Sequence, residues 1–323
     1  MKIKRITTLG FRGLPDRTYE LVDAKGNPQD AVFVTGPSGS GKTTLLDAIV
    51  AAKETIAPYG SPRSPAGYIR KGEGAAKVRV EWWLTDEEVA RAGDTKHDFV
   101  SESIFRTEFG APPPVDRGLA SVLAEYDLDP EIGKVEYFHA SRRMPTEARA
   151  GAMGGSLAAD RMARLLKDSS KYENLIPFLT DLALGLVDMS GQGKPGVETF
   201  NRALAALCGS ARFRGVERID NALEPRFVDR RDTMLSLWQL SESARQAILF
   251  TASFLRSGVN HSIVLVDTPE LHLTSAEARA ISAGLAQLGK DNQIVFATGS
   301  TDVVAGAHPS HVIALDGEKG RAS

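Results

Sequence analysis

The chain of 323 residues holds a single cysteine, Cys208 in the apolar stretch ALAALCGS. Neither a disulfide framework nor a cysteine metal cluster is therefore open to it, and the thiol reads as a small buried hydrophobe. No uncharged apolar run reaches the length of a membrane-spanning helix, about 18 residues. The opening MKIKRITTLGFRG lacks the apolar segment of a secretory leader, so residence in the cytoplasm is expected. Charge of one sign is also missing. With 39 basic and 41 acidic side chains the net charge is −2, so any contact with nucleic acid must come from a local patch rather than a global field. There is no internal repeat, no sustained heptad run, and no glutamine between Gln29 and Gln192. What the chain does have is a hydrophobic content of 42%, enough at this length for one large domain or a core with a sub-domain.

The most informative stretch is Gly36, Pro37, Ser38, Gly39, Ser40, Gly41, Lys42, Thr43 and Thr44, which spells the phosphate-loop pattern GxxxxGK[ST] in full. A Gly/Ser turn can match so short a pattern by chance. Here, however, the apolar run Ala31 to Thr35 precedes it and the helix-like LLDAIVAAK follows, the strand and helix that the chemistry requires. Backbone N–H groups of the turn would close around phosphate oxygens, and the helix N-terminus adds partial positive charge. Lys42 is then expected on the β and γ phosphates and the Thr43 hydroxyl on Mg²⁺. ATP and Mg²⁺ are thus the expected ligands.

Around this motif the chain alternates in type. Period-two patterns mark strands near Lys2 to Thr7, Tyr19 to Val22, Lys77 to Leu84, Asp98 to Arg106 and Lys134 to Ala140. Helical spacing runs from Ser156 to about Leu186, and again from Val197 to Cys208 beyond the breaker DMSGQGKPG. The last third reads as strands at Phe213 to Ile219 and Phe227 to Leu237, a helix from Ser241 to Ser257, the buried strand SIVLVD, a helix from Ser275 to Leu288, and the strands QIVFAT and HVIAL. Strand and helix in alternation imply an α/β fold with a mostly parallel sheet and helices on both faces. The expected partition is a first ATPase lobe over 1–144, including an antiparallel β lobe near 1–30 and 77–106, a helical insertion over 145–210, and a second lobe over 211–323.

Asp267 ends the apolar run of its strand, at the edge where open parallel sheets place ligand-binding groups, and fits a carboxylate that holds the Mg²⁺ water shell. Other residues have two readings. Arg142 and Arg143 reach a nucleotide or partner, or form a solvated loop pair. His272 lies at a dimer seam or is a packed surface histidine. The arginines between Arg212 and Arg231, interrupted by acids, read as a solvated face rather than a nucleic-acid track. Trp82 and Trp83 adjoin on a strand, so one must face the core.

Taken together, MKIKRITTLGFRG, GPSGSGKTTLLDAI, YIRKGEGAAKVRVEWWL, WQLSESARQAIL, VDTPELHL and QIVFATGS resemble the ATP-binding-cassette P-loop ATPase heads of the RecF, SMC and OLD type. The resemblance spans nearly the whole chain and is weakest in the helical middle. It implies two heads that sandwich ATP, each phosphate loop facing a signature helix of the other. LSESARQ, Leu240 to Gln246, stands where the family has a sequence like LSSGERQ, so by the resemblance Ser241 would meet the γ-phosphate across the dimer. By itself LSESARQ is an ordinary N-capped helix start.

Several family groups are replaced. Thr268 stands where a general-base Glu follows the Asp, which leaves Glu270 as the next candidate; Gly299 stands at the switch His; Glu242 and Ser243 stand where small glycines are usual. Catalytic roles are accordingly expected of Lys42, Asp267 and Glu270, in an ATPase of weak turnover acting with a partner or effector in DNA repair or phage defence. The alternative is a nucleotide-gated scaffold or sensor with negligible hydrolysis. The energising subunit of a membrane transporter fits less well, because the FRG opening and the DAI helix look like repair-type heads.

Overall fold

A computed structural model describes residues 1–60, 65–107, 113–125, 131–145, 157–187, 196–220 and 222–315. The strands in chain order are β1 (Lys2–Leu9), β2 (Arg17–Glu20), β3 (Ala31–Thr35), β4 (Ala75–Trp83), β5 (Asp98–Arg106), β6 (Val135–Phe138), β7 (Ala211–Ile219), β8 (Ala222–Asp229), β9 (Met234–Ser236), β10 (Ile263–Asp267), β11 (Gln293–Ala297) and β12 (Val312–Ala314). The helices are α1 (Lys42–Ile56), α2 (Asp86–Ala92), α3 (Arg117–Ala124), α4 (Leu157–Ala163), α5 (Leu175–Ala183), α6 (Gly196–Ala205), α7 (Glu242–Ser257), α8 (Ser275–Ala286) and α9 (Thr301–Val304). No helix among them is long and apolar enough to cross a membrane. The residues gather into two units. One comprises Met1–Ala140, Asn260–Pro269 and Asp291–Ser323; the other comprises Ser141–Val259 and Glu270–Lys290.

The first unit contains two sheets. Strands β10 and β11 are buried at every position, the continuous apolar pattern of central parallel strands. They sit inside a five-stranded sheet of order β12-β3-β11-β10-β6, in which every pairing is parallel. The second sheet, β2-β1-β4-β5, is antiparallel and alternates buried with open positions. Helix α1 packs against β4 and β5 on one side and against β10 and β11 on the other. That double burial explains why Leu45 through Lys53 are all buried, with almost no polar stripe. Trp82 is the buried member of the tryptophan pair, while Trp83 is half-buried and stacks on His97.

In the second unit, α5, α6 and α7 pack together, and α5 and α6 also cover the three-stranded antiparallel sheet β7-β8-β9. Two expectations are corrected here. The stretch Ser156 to Leu186 is not one helix: Asp168 caps a separate 3-10 turn at Ser169–Tyr172, and α5 starts afresh with Pro177 in its first turn. The single strand Phe227 to Leu237 is instead a hairpin. The Asp229 carboxylate accepts from the backbone N–H of Arg231 and of Thr233, and Asp232 takes φ 58°, so the chain reverses between β8 and β9. Two short helices, α2 and α3, were absent from the sequence reading. Thr85 and Glu88 form a capping box on α2, and Asp116 caps α3.

A candidate phosphate-binding site

The turn between β3 and α1 depends on glycine. Gly36, Gly39 and Gly41 have φ of 146°, 79° and 99°, which side chains rarely adopt. A Cβ on Gly36 would lie 2.3 Å from the Leu315 carbonyl oxygen, and one on Gly41 would lie 2.9 Å from Leu14. Helix α1 is capped by Gly41, which offers no side chain, and its first turn holds no acidic residue. The first N–H groups of the helix thus keep their positive field for an outside anion. Lys42 Nζ donates to the carbonyl oxygens of Gly36 and Pro37, each at 2.8 Å. The ammonium is therefore held across the mouth of its own loop. Ser40 Oγ is buried and has no hydrogen-bond partner among the described residues.

Asp267, at the C-terminal end of β10, is buried, and its Oδ2 accepts from Thr43 Oγ1 at 2.9 Å across 224 positions of sequence. Thr268 takes φ 52°; its N–H donates to the Ala297 carbonyl, and its hydroxyl lies 3.4 Å from Asp267 Oδ1. A hydroxyl-and-carboxylate pair of this kind, beside a lysine and a helix N-terminus, is a donor set of hard oxygens and one cation suited to a magnesium-bound polyphosphate. Just past β11 the Thr298 hydroxyl accepts from Ser300 N–H, and Gly299 is exposed with open space where a side chain would stand. Packing does not require glycine there. Gly36 and Pro37 also wall a cleft of about 730 Å³ that continues past Gly299 to Val304, Ala307 and Pro309.

The structure thus brings Gly36 to Thr44 and Asp267 into one place. Ser241 and Glu270 belong to the second unit. Ser241 is exposed and caps α7, its Oγ accepting from Ala244 N–H at 3.2 Å, while Glu242 pairs with Arg245. Glu270 is half-buried, and its carbonyl accepts from Leu273 N–H. His272 is exposed with φ 62°. Arg142 does not fit the solvated-loop reading. It is fully buried, donates to Gln246 on α7 at 2.8 Å and stacks over Phe250, whereas Arg143 is exposed. The arginine-rich strands carry compensating pairs such as Arg226–Glu217, which suits a solvated face. Cys208 is buried.

Sequence reading missed how FRG supports the site. Arg12 donates to Asp47 of α1 at 2.7 Å and stacks over Tyr68, and Leu14 packs on Gly41. The FRG and DAI motifs are thus two halves of one brace, and their joint presence was the available signal. Among the described residues no group of three or more His, Cys, Asp and Glu side chains is placed to hold a metal ion.

Comparison with known proteins agrees with this geometry. The family described as the P-loop containing region of AAA domain matches residues 17–52. No curated protein matches the chain in sequence. The solved SMC head bound to the C-winged helix domain of ScpA aligns with TM-score 0.54 at 15% identity, over 97% of this chain and 94% of that one. The Smc head domain with an extended coiled coil, bound to the C-terminal domain of ScpA derived from Pyrococcus furiosus, gives TM-score 0.50 at 14% identity, over 97% and 93%. The chain therefore has the fold of an SMC-type P-loop ATPase head.

Proposed function

We propose that this protein is an ATP-binding head that closes as an ATP-sandwiched dimer, hydrolyses ATP slowly, and works in the cytoplasm with a partner or effector in DNA repair or phage defence. The observation that carries the proposal is the Thr43–Asp267 hydrogen bond beneath a glycine loop whose lysine is held on the loop's own carbonyls. ATP would exchange those carbonyls for its phosphates as partners of Lys42. The orphaned Ser40 hydroxyl and the uncapped start of α1 supply further donors. Thr43 and Asp267 would hold Mg²⁺, which supplies charge neutralisation at the phosphates when bound.

Slow turnover is supported by what occupies the reactive positions. Thr268 cannot accept a proton at neutral pH, and Gly299 offers no side chain. Loss of a general base forfeits about 10²- to 10⁴-fold in rate and leaves phosphate contacts intact. Glu270 is the carboxylate proposed to take the water's proton. The second reading, a nucleotide-gated scaffold or sensor with negligible hydrolysis, draws on the same two replacements. Phosphate release at saturating ATP and Mg²⁺ separates them: steady turnover lost in Glu270→Gln supports the ATPase, and intact bound ATP in a closed dimer supports the scaffold. A chain that stays monomeric in sedimentation with ATP and Mg²⁺, and releases no phosphate, contradicts both.

A further inference from the structure

Among the described residues Trp238 is the one large aromatic left exposed, at 63%. It stands in the 3-10 turn Leu237–Gln239, which the Ser236 and Gln239 side chains lock with a reciprocal capping box. The lock explains the exposure. With Leu237 and Leu240 both buried at a spacing of three, the turn directs Trp238 and Gln239 outward on a preorganised support. Three residues on is Ser241, the N-cap of α7. Chain geometry keeps the two backbones within about 11 Å of each other.

A receptor for such a side chain exists elsewhere on the chain. The cleft of about 730 Å³ that starts at Gly36 and Pro37 has no charged side chain in its lining. Its walls are Val304, Ala307, Pro309 and Val312, with Ser300 and Thr301 offering acceptors for an indole N–H. Because Gly36 and Pro37 are residues of the phosphate loop itself, the cleft opens directly beside the proposed nucleotide. Resting on the sandwich reading, we propose that Trp238 of one copy of this chain docks into this cleft of a second copy. If Ser241 meets the γ-phosphate bound by the other protomer, Trp238, held within about 11 Å of Ser241, comes to the same seam as the loop that forms the cleft's rim. An exposed aromatic knob and an uncharged hole are thereby brought together at each of two equivalent seams. Each cleft is complete only when the other chain fills it, as expected of an isologous dimer.

The test uses the full chain with ATP and Mg²⁺, followed by sedimentation velocity and tryptophan emission. Wild type is expected to dimerise with a blue shift, since Trp82 is already buried and Trp83 stacked. Trp238→Ala should weaken dimerisation about 30-fold or more while leaving ATP affinity of the dilute monomer unchanged. Ala307→Trp, which fills the cleft, should do the same. Mixing the two variants should restore dimers, because one seam regains knob and hole and the other pairs a missing knob with a filled hole. A Trp238→Ala chain that dimerises like wild type, a mixture that stays monomeric, or an emission unmoved by dimerisation overturns the docking and leaves the sandwich standing. Wild type that binds ATP yet remains monomeric overturns both.

Discussion

Two helix N-termini in this molecule, both proposed to face phosphate, differ in sequence and in chemistry. Helix α1 begins after glycine, with no side-chain cap and no acid in its first turn. Helix α7 begins with Ser241 bonded to Ala244 N–H and with Glu242 in its first turn. The first terminus keeps its donors unused and its field positive; the second has already satisfied one donor with its own serine and placed a carboxylate beside it. An anion therefore finds a finished site at α1. At α7 it meets a terminus that must give up its cap and tolerate Glu242. In the proposed reading, affinity for nucleotide falls to the first terminus and a conditional, dimer-dependent contact to the second.

The largest effect expected from this contrast is on Lys42. Lys42→Ala should lower ATP affinity about 10²- to 10³-fold by titration calorimetry, because a charge-assisted contact to phosphate is lost. Arg245→Ala, which removes a cation near the other terminus, should change monomer affinity by no more than about threefold. Equal losses would break the comparison. Next in size is glycine chemistry. Gly36→Ala should destabilise the fold by about 2–3 kcal/mol in urea unfolding, since its Cβ meets the Leu315 carbonyl at a φ of 146°. Gly299→Ala, set in open space, should stay within about 0.5 kcal/mol. Ser241→Ala should cost about 1 kcal/mol through the lost cap alone.

The smallest effect concerns pH. The backbone N–H of Thr274, helped by its hydroxyl, holds the Glu277 carboxyl below its usual range at the start of α8. A depressed carboxylate contributes stability above its unfolded pKa, and that contribution is lost as pH falls through the folded value. Glu277→Gln should therefore lower stability slightly at neutral pH and flatten the acid limb, the variant and wild type converging as pH falls through the folded value. An acid limb unchanged in the variant would remove Glu277 as its source.

The parts legible in the sequence were those where chemistry or periodicity acts locally. GPSGSGKTT with its flanking strand and helix, and the strand ending in Asp267, are short-range patterns, and both lie where the reading put them. What escaped were breaks decided by single polar side chains. Asp229 turns one apparent strand into a hairpin, and Asp168 divides one apparent helix, because side-chain acceptors compete with backbone bonding. Helices α2 and α3 were too short to show a period, although Thr85 and Glu88 spelled a capping box. The brace from Arg12 to Asp47 and the burial of Arg142 against Gln246 and Phe250 are long-range contacts that no local pattern encodes.

The most direct measurement is titration calorimetry of the folded, full chain with ATP, with and without Mg²⁺, beside Asp267→Asn. The expected result is one ATP per chain, bound more tightly with Mg²⁺, and a magnesium effect that disappears in the variant. No heat of binding from folded wild-type protein, or a magnesium effect indifferent to Asp267, would contradict a phosphate site built on Lys42, Thr43 and Asp267.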